Sequence, residues 1–280
     1  MASEHIPEPD FGQTDPGLGI LRMAALLAET DDDPGEETLN HMAEQVENGG
    51  LAGLDAADIW PELHLCLTGP APGKALRILR ICGALQAVLS EVDALFGVPQ
   101  ISEGQSEVDL GAHMLRSLDE AGRIDAPLAV RFALLVMNVG KADSPREHLP
   151  LHYKHIDRGG PRIEAIVARF GVPADCLELA LLGLSECERV HRASEVRAGP
   201  VAQMLERLGA FDAPETFERL MSVCGCDFSA HAGRVGDAYP KAVLLETARK
   251  ACAAIEPATP EARAEAIAQA FRSQRWSSDG

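Results

Sequence analysis

Aromatic residues are scarce in this chain: eight Phe, two Trp and two Tyr make up 4% of its 280 residues. Sustained alternation of apolar and polar residues is also missing, which disfavours a protein built from β-sheets. Ala and Leu instead recur at spacings of three and four residues, the period of an amphipathic helix. The sequence therefore predicts an all-α fold.

The sequence also lacks any run of about 18 apolar residues, which a membrane span requires. Its first residues have neither the basic start nor the apolar run of a signal peptide. The seven cysteines are odd in number and scattered, which is typical of the reduced cytoplasm rather than of a disulfide framework. Cys224-Gly225-Cys226 has the wrong spacing for a structural zinc site. We expect a soluble, cytoplasmic protein whose cysteines are buried as small apolar residues.

Basic residues are nearly absent from the first 60 positions, where Arg22 alone accompanies fourteen Asp and Glu. This region carries most of the net charge of −18. Nucleic-acid affinity comes largely from Lys and Arg that displace counterions from phosphates, so unaided RNA binding is not expected. The acidic amino-terminal helices are interpreted either as a solvated surface or as the docking face of a basic protein partner.

Periodicity and turn residues predict helices along most of the chain. We expect a disordered lead at 1–13 and loops at 100–108 and 144–160, the second rich in His, Pro and Gly. No Gly-rich phosphate loop and no internal repeat is present in the sequence. The predicted helices lie at about 16–28, 36–48, 55–66, 74–90, 109–121, 126–139, 160–171, 174–190, 198–208, 213–223, 238–255 and 259–273.

Residues 130–145 resemble the core signature of HD-domain phosphohydrolases with its two essential residues replaced. An HD domain carries His-Asp where this chain has Met137-Asn138. That pair binds a divalent metal, which activates water against a phosphoester, and a thioether and a neutral amide cannot do so. The resemblance implies the frame of an enzyme that has lost its usual chemistry.

Several motifs in one order resemble a longer family, the bacterial CCA-adding tRNA nucleotidyltransferases of the multifunctional, HD-bearing type. The resemblance covers about residues 14–255. It implies an elongated protein with a helical neck and body at 14–100 and a degenerate HD-like helical domain at 101–255, followed by a carboxyl-terminal helix and tail at 256–280. The motifs lie at 82–85, 91–100, 107–113, 130–133, 140–141, 150–155, 171–173, 227 and 239–240.

The family's nucleotide-transfer residues have no match here. Its catalytic head, with the paired aspartates that hold two metals, would precede residue 14. Its templating Glu-Asp-x-x-Arg motif falls at 15–19, where the base-reading arginine is replaced by Gly19. Asp58 stands where the family has a basic residue. The resemblance therefore implies that this chain alone is not an intact CCA-adding enzyme, and no catalytic or nucleotide-binding residue is assigned.

The resemblance also matches the hydrolase site residue by residue. Besides Met137 and Asn138, a second His-Asp pair is replaced, and a set of metal-ligand candidates is retained. We expect no cofactor, but zinc or nickel held by the retained side chains is an open alternative, since imidazole and thiolate suit these metals. The other open alternative is a metal-free pocket that binds a phosphorylated small molecule or peptide. The replaced pair reads Cys187 and Glu188, and the retained positions are His113, His152, His155, His191 and Asp227, with Cys187 as a further candidate ligand.

Three functions follow from these observations. The leading hypothesis is a non-catalytic, stand-alone relative of the carboxyl-terminal half of the CCA-adding enzyme, acting as a binding or regulatory module linked to tRNA metabolism. The second is one subunit of a split tRNA nucleotidyltransferase, docked through the acidic helices with Leu18 and Leu21 covered by the partner. The third is a metal-dependent phosphohydrolase whose ion moved to His113, His152, His155 and Cys187.

Overall fold

The computed structural model describes residues 15–30, 32–101, 107–193, 197–256 and 259–278. Fourteen α-helices and one two-stranded sheet are found in these ranges, which confirms the predicted all-α class. The lead at 1–13 lies outside them. None of the helices in these ranges combines the length and the apolar content that crossing a membrane requires.

Six helices form the first part of the chain. Asp15 and Asp55 accept hydrogen bonds from the first-turn amides of α1 and α3, so these helices begin where the sequence offers a capping carboxylate. The predicted helices at 16–28, 36–48 and 55–66 are confirmed to within two residues. The six are α1 (Pro16–Ala28), α2 (Glu36–Glu47), α3 (Ala56–Thr68), α4 (Pro72–Ile81), α5 (Ala84–Val88) and α6 (Ser90–Asp93).

The single helix predicted at 74–90 is wrong, because the chain turns at Gly83. This residue has φ 79°, a left-handed conformation that glycine adopts without steric cost, and it separates α4 from α5. The predicted loop at 100–108 is also partly wrong. A short antiparallel hairpin, β1 (Pro99–Ile101) and β2 (Glu107–Asp109), pairs Gln100 with Val108. Strands of three residues are too short to show an alternating pattern in the sequence.

Eight helices follow the hairpin. One begins earlier than predicted: α9 starts at His155, inside the predicted loop at 144–160. Gly159 lies at a close crossing, because a Cβ on Gly140 would be 2.6 Å from the Gly159 amide nitrogen. The glycine therefore serves packing rather than breaking the helix. The eight are α7 (Leu110–Arg123), α8 (Leu128–Val136), α9 (His155–Phe170), α10 (Ala174–His191), α11 (Ala198–Arg207), α12 (Pro214–Ser229), α13 (Pro240–Cys252) and α14 (Pro260–Ser278).

Helix α8 lies at the centre of the molecule. Its residues 129–136 are all buried, and it packs against α3, α7, α10 and α12. Buried apolar residues form one cluster that extends from Ile20 on α1 to Phe271 on α14. The cluster therefore crosses position 100, where we placed a domain boundary, and the division into neck and HD-like regions stays a prediction.

One buried cation connects α8 with the end of α3. Arg131 is 2% exposed, and its guanidinium donates to the carbonyl oxygens of Ala126 at 2.6 Å, Leu67 at 2.9 Å and Gly69 at 2.6 Å. Burial lowers the pKa of this arginine. Its Nη2 also donates to the exposed Asp125 carboxylate at 3.3 Å, so three carbonyl groups and a surface carboxylate satisfy its donors. All seven cysteines are buried and free of disulfides, as expected from the sequence.

The acidic amino-terminal surface differs from the prediction in its apolar residues. Leu21 is completely buried against the chain's own core, so it is not available to a partner, and Leu18 is partly buried. The exposed apolar side chains of α1 are Met23, at 43%, and Leu26, at 51%. Arg22 does not neutralise the surface, because its Nε donates to Glu62 Oε2 at 3.1 Å.

Candidate functional site

A cavity of about 400 Å³ lies beside the carboxyl-terminal ends of α8, α10 and α12. This volume is within the usual range for small-molecule sites. His113 does not line the cavity, but it contacts two residues that do, Asp227 and His231. Among the sequence-predicted site residues, the cavity is lined by Met137, Asn138, His152, His155, Cys187, Glu188, His191 and Asp227.

Asp227, on α12, is the centre of one group of polar side chains. His113 Nε2 on α7 donates to its Oδ1 at 3.0 Å, and His191 Nε2 on α10 donates to its Oδ2 at 3.0 Å. Burial raises the pKa of Asp227, but the two histidines outweigh that effect and hold the pKa well below its usual value. Asp227 is therefore an ionised carboxylate at neutral pH, held from both oxygens.

His191 has contacts on both ring nitrogens. Cys187 Sγ lies 3.4 Å from Nε2, and Tyr239 Oη lies 2.6 Å from Nδ1. Burial lowers the pKa of His191, but its contacts with Cys187 and Asp227 outweigh burial and raise the pKa to about 10. Contact with Cys224 and burial raise the pKa of Cys187, so its thiol stays protonated and is not an activated nucleophile.

His231, which follows α12, completes this group. Its ring stacks on His113 with 4.5 Å between the ring centroids and an angle of 37°. Burial and the neighbouring His113 lower the pKa of His231. His113 Nδ1 is buried without a hydrogen-bond partner among the described residues. We call His113, Cys187, His191, Asp227 and His231 the Asp227 cluster.

Lys141 organises the opposite part of the cavity. The side chain is 4% exposed, and Nζ donates to Gln100 Oε1 at 2.5 Å and lies 3.1 Å from Glu188 Oε1. Burial raises the pKa of Glu188, but Lys141 outweighs it and the net pKa is lowered. Glu188 is thus committed to an ion pair at the position where the resemblance implies a metal-binding aspartate.

The two histidines of the 150–155 segment are held by neighbouring oxygens. His152 Nε2 donates to the Pro99 carbonyl at 3.0 Å, while Nδ1 accepts from Ser144 Oγ at 2.8 Å. His155 Nδ1 donates to the His152 carbonyl at 2.7 Å. Burial, and then the charge of Lys141, lowers the pKa of His152, and burial also lowers that of His155. Both imidazoles are neutral at pH 7.

The predicted ligands do not converge as one set. Within the described ranges, two groups of three have ligand atoms within 4.8 Å of one another: His113 with Asp227 and His231, and Cys187 with His191 and Asp227. His152 and His155 belong to neither group. His231 and Tyr239 were not singled out as site residues. The spacing of four between Cys187 and His191 on a helix could have drawn attention to that pair, because it places both on one face.

Met137 and Asn138 lie where α8 ends. Both are buried, at 5% and 7% exposure, and both line the cavity. Met137 packs against Gly183 on α10, whose added Cβ would be 3.7 Å from the sulfur. The divalent ion of an HD site requires imidazole and carboxylate at these positions, so the residues present do not fit that ion.

The chain is similar to proteins described as multifunctional CCA proteins. It is 39% identical over 225 residues to the protein of Laribacter hongkongensis, covering 80% of this chain and 56% of the relative. It is 37% identical over 249 residues to that of Verminephrobacter eiseniae, covering 89% and 60%. It is 37% identical over 258 residues to the protein of Paracidovorax citrulli, covering 92% of this chain and 61% of the relative. The chain spans about 60% of these relatives' length. No family model matches it.

Proposed function

We propose that this chain is a non-catalytic relative of the carboxyl-terminal part of the multifunctional CCA protein, and that it acts as a binding or regulatory module in tRNA metabolism. The observation that carries the proposal is the pair Met137-Asn138 in the cavity wall. A thioether and an amide cannot bind, at these two positions, the ion that activates water in an HD site. Glu188 does not replace them, since it is paired with Lys141.

The cavity supports binding of a small anionic molecule. Its cationic groups outnumber its carboxylates once His191 is protonated, although the whole chain carries a net charge of −18. Exposed apolar side chains at its edge offer contact area to an aromatic or aliphatic portion of the ligand. The charged groups are Lys141, His191, Arg192, Arg234, Glu188 and Asp227, and the apolar edge is formed by Ile101, Leu151 and Tyr153.

The absence of hydrolysis is tested with phosphomonoesters and cyclic phosphodiesters in the presence of Mg²⁺, Mn²⁺, Ni²⁺ or Zn²⁺. We expect no release of phosphate above a protein-free control. Robust turnover that His152→Ala abolishes would overturn the proposal. Such turnover would favour the third hypothesis, a phosphohydrolase, although His152 and His155 do not lie within ligand distance of the group that contains His113.

Ligand binding is tested by calorimetry with adenosine monophosphate, inorganic phosphate and adenosine as probes. We expect the monophosphate to bind more tightly than either part alone. Tyr153→Ala should weaken it by about tenfold, because an aromatic contact is worth roughly 1 kcal/mol. Tyr153 is 59% exposed, so the fold should not depend on it. Val243→Ala, at a residue that is also 59% exposed and does not line the cavity, is the matched control.

The second candidate function is supported by the surface of α1 to α3. We propose that it docks a basic protein, as expected for one subunit of a split nucleotidyltransferase. Met23 and Leu26 are exposed in this acidic region of the chain, so they offer a small apolar surface that a partner could contact. Between residues 15 and 58, the exposed carboxylates that the structure describes are Asp15, Glu29, Asp32, Asp33, Glu36, Glu37, Glu44, Glu47, Asp55 and Asp58.

Co-purification from the native source tests this second candidate, together with a search of neighbouring genes for a nucleotidyltransferase head. We expect a basic nucleotidyltransferase polypeptide to be recovered at low salt and lost at high salt, since screening weakens surface electrostatics. Leu26→Asp should reduce recovery, while Val235→Asp, at a residue 70% exposed elsewhere, should not. If neither a head reading frame nor a nucleotidyltransferase is found, this candidate fails.

A further inference from the structure

Three side chains of the Asp227 cluster already have the spacing of metal ligands. Cys187 and His191 are four residues apart on α10 and lie on one face of it, and Asp227 comes from α12. Cys187 Sγ is 3.4 Å from His191 Nε2, which is 3.0 Å from Asp227 Oδ2. Ligand atoms of a tetrahedral zinc ion, at their usual bond lengths, lie about 3.3–3.6 Å apart. These two distances are within a few tenths of an ångström of that spacing, and the third pair, Cys187 Sγ and an Asp227 oxygen, lies within 4.8 Å.

Two neighbouring residues orient these ligands by contacting the ligand side chains at atoms that do not face the proposed ion. Tyr239 Oη contacts His191 Nδ1 at 2.6 Å, which fixes the ring so that Nε2 faces Cys187 and Asp227. His113 Nε2 holds Asp227 Oδ1 at 3.0 Å, which leaves Oδ2 directed to the other two ligands. Hydrogen bonds to the second ring nitrogen and the second carboxylate oxygen are what protein metal sites use to orient their ligands.

We propose that Cys187, His191 and Asp227 form a binding site for a zinc-class divalent ion. One thiolate, one imidazole and one carboxylate suit zinc, whereas Mg²⁺ and Ca²⁺ prefer oxygen ligands only. When the ion binds, it replaces the thiol proton of Cys187 and the Nε2 proton of His191. Two anionic ligands then balance the charge of the ion in a mostly buried place. The inference goes beyond the proposed function, because the ion is held by the chain whether or not a small molecule enters the cavity.

The other group of three, His113 with Asp227 and His231, is a weaker site. An imidazole binds a metal in the plane of its ring, through a nitrogen lone pair. Stacked rings, here 4.5 Å apart and tilted by only 37°, direct these lone pairs side by side rather than to one point. The Cys187 group has no such stacking between its ligands.

All three proposed ligands line the cavity. A tetrahedral ion bound by three protein ligands keeps a fourth position for water or another molecule. An anionic group of a small molecule in the cavity is the chemistry that would complete it. The ion would also connect α10 with α12, which is a stabilising effect that requires no catalysis.

The full chain, purified without a metal-affinity column, is incubated with Zn²⁺, dialysed and examined by elemental analysis. We expect one equivalent of zinc in the wild type, and with Co²⁺ a thiolate-to-metal charge-transfer band. Cys187→Ser should abolish the band, and His191→Ala should lose the ion. Cys176→Ser, which changes another buried cysteine of α10, is the matched control and should keep both. Tyr239→Phe should weaken zinc affinity about 10- to 100-fold.

Alkylation of the wild type gives a measurement that does not depend on the folding of a variant. Zinc should slow modification of Cys187, mapped by mass spectrometry, and should leave the rate at Cys176 unchanged. Wild-type protein that retains no zinc after dialysis would overturn the proposal. So would retention of zinc by Cys187→Ser together with its loss in His231→Ala, which would identify the stacked group as the site.

Discussion

Arg169 on α9 donates two parallel hydrogen bonds to the Glu91 carboxylate on α6, with Nη1–Oε1 at 2.9 Å and Nη2–Oε2 at 3.0 Å. The pair joins the region predicted as the neck to the region predicted as HD-like. Burial raises the pKa of Glu91, but the hydrogen bonds and charge of Arg169 outweigh burial, and the net pKa is lowered. The bidentate geometry is the strongest form of such a pair.

Arg169→Met should destabilise the fold at neutral pH and remove the acid sensitivity that Glu91 contributes. Because the folded-state pKa of Glu91 lies below its unfolded value of about 4.5, its ionisation stabilises the fold above that pH, and the stabilisation is lost as the pH falls through the folded pKa. Without Arg169, burial raises this pKa above the unfolded value, so protonation of Glu91 no longer destabilises the fold, and the stabilities of wild type and variant should approach each other as the pH falls. Urea unfolding between about pH 7 and pH 3 measures this difference. Arg272→Met, which removes an exposed ion pair with Glu265, should leave the dependence of the free energy of unfolding on pH unchanged.

Arg131→Met should reduce the free energy of unfolding by about 3 kcal/mol. The methionine fills much of the same space but leaves the carbonyls of Leu67, Gly69 and Ala126 without the donors that now satisfy them. Urea titration followed by circular dichroism gives the value. The exposed Arg272→Met variant is the control and should change stability by less than about 0.5 kcal/mol. Equal stability of the two variants would show that Arg131 does not connect α3 with α8 energetically.

Two glycine substitutions should change the free energy of unfolding in opposite directions. A Cβ at Gly140 would lie 2.1 Å from the His155 carbonyl oxygen, so Gly140→Ala must displace α9 and should destabilise the protein by at least about 2 kcal/mol. Gly19 lies within α1 and a Cβ there meets nothing within 4 Å. Gly19→Ala should stabilise the fold by about 0.5–1 kcal/mol, since alanine is the better helix former. Thermal unfolding of both variants distinguishes the effects, and a stabilised Gly140→Ala would contradict the close crossing.

Local signals explain which helices the sequence could predict. Helices α1 and α3 begin at Asp15 and Asp55, whose carboxylates cap them, and both have a continuous apolar stripe. The start of α9 was missed because Gly159-Gly160-Pro161 is typical of a loop. The reason for Gly159 is its close approach to Gly140, a contact made in the tertiary structure.

The candidate site was predictable in its members and not in its geometry. His113 and Asp227 were both predicted, yet their 3.0 Å contact joins residues 114 positions apart, on α7 and α12. The resemblance to the family also grouped His152 and His155 with them, whereas hydrogen bonds to the Pro99 and His152 carbonyls hold these rings in another part of the cavity. Only the folded chain distinguishes these two sets of imidazoles.

The cysteines should resist alkylation while the protein is folded. Burial, with smaller contributions from neighbouring carboxylates, raises the pKa of Cys66, Cys176 and Cys226 to about 12. The thiolate is the reactive form, so its fraction at neutral pH is very small at these positions. Iodoacetamide labelling, followed by mass spectrometry, should show slow modification in the native state and seven modified cysteines after unfolding in urea. Labelling of native Cys66 at the rate of a free thiol would contradict its burial between α1 and α3, where its Sγ lies 3.4 Å from the Leu21 carbonyl.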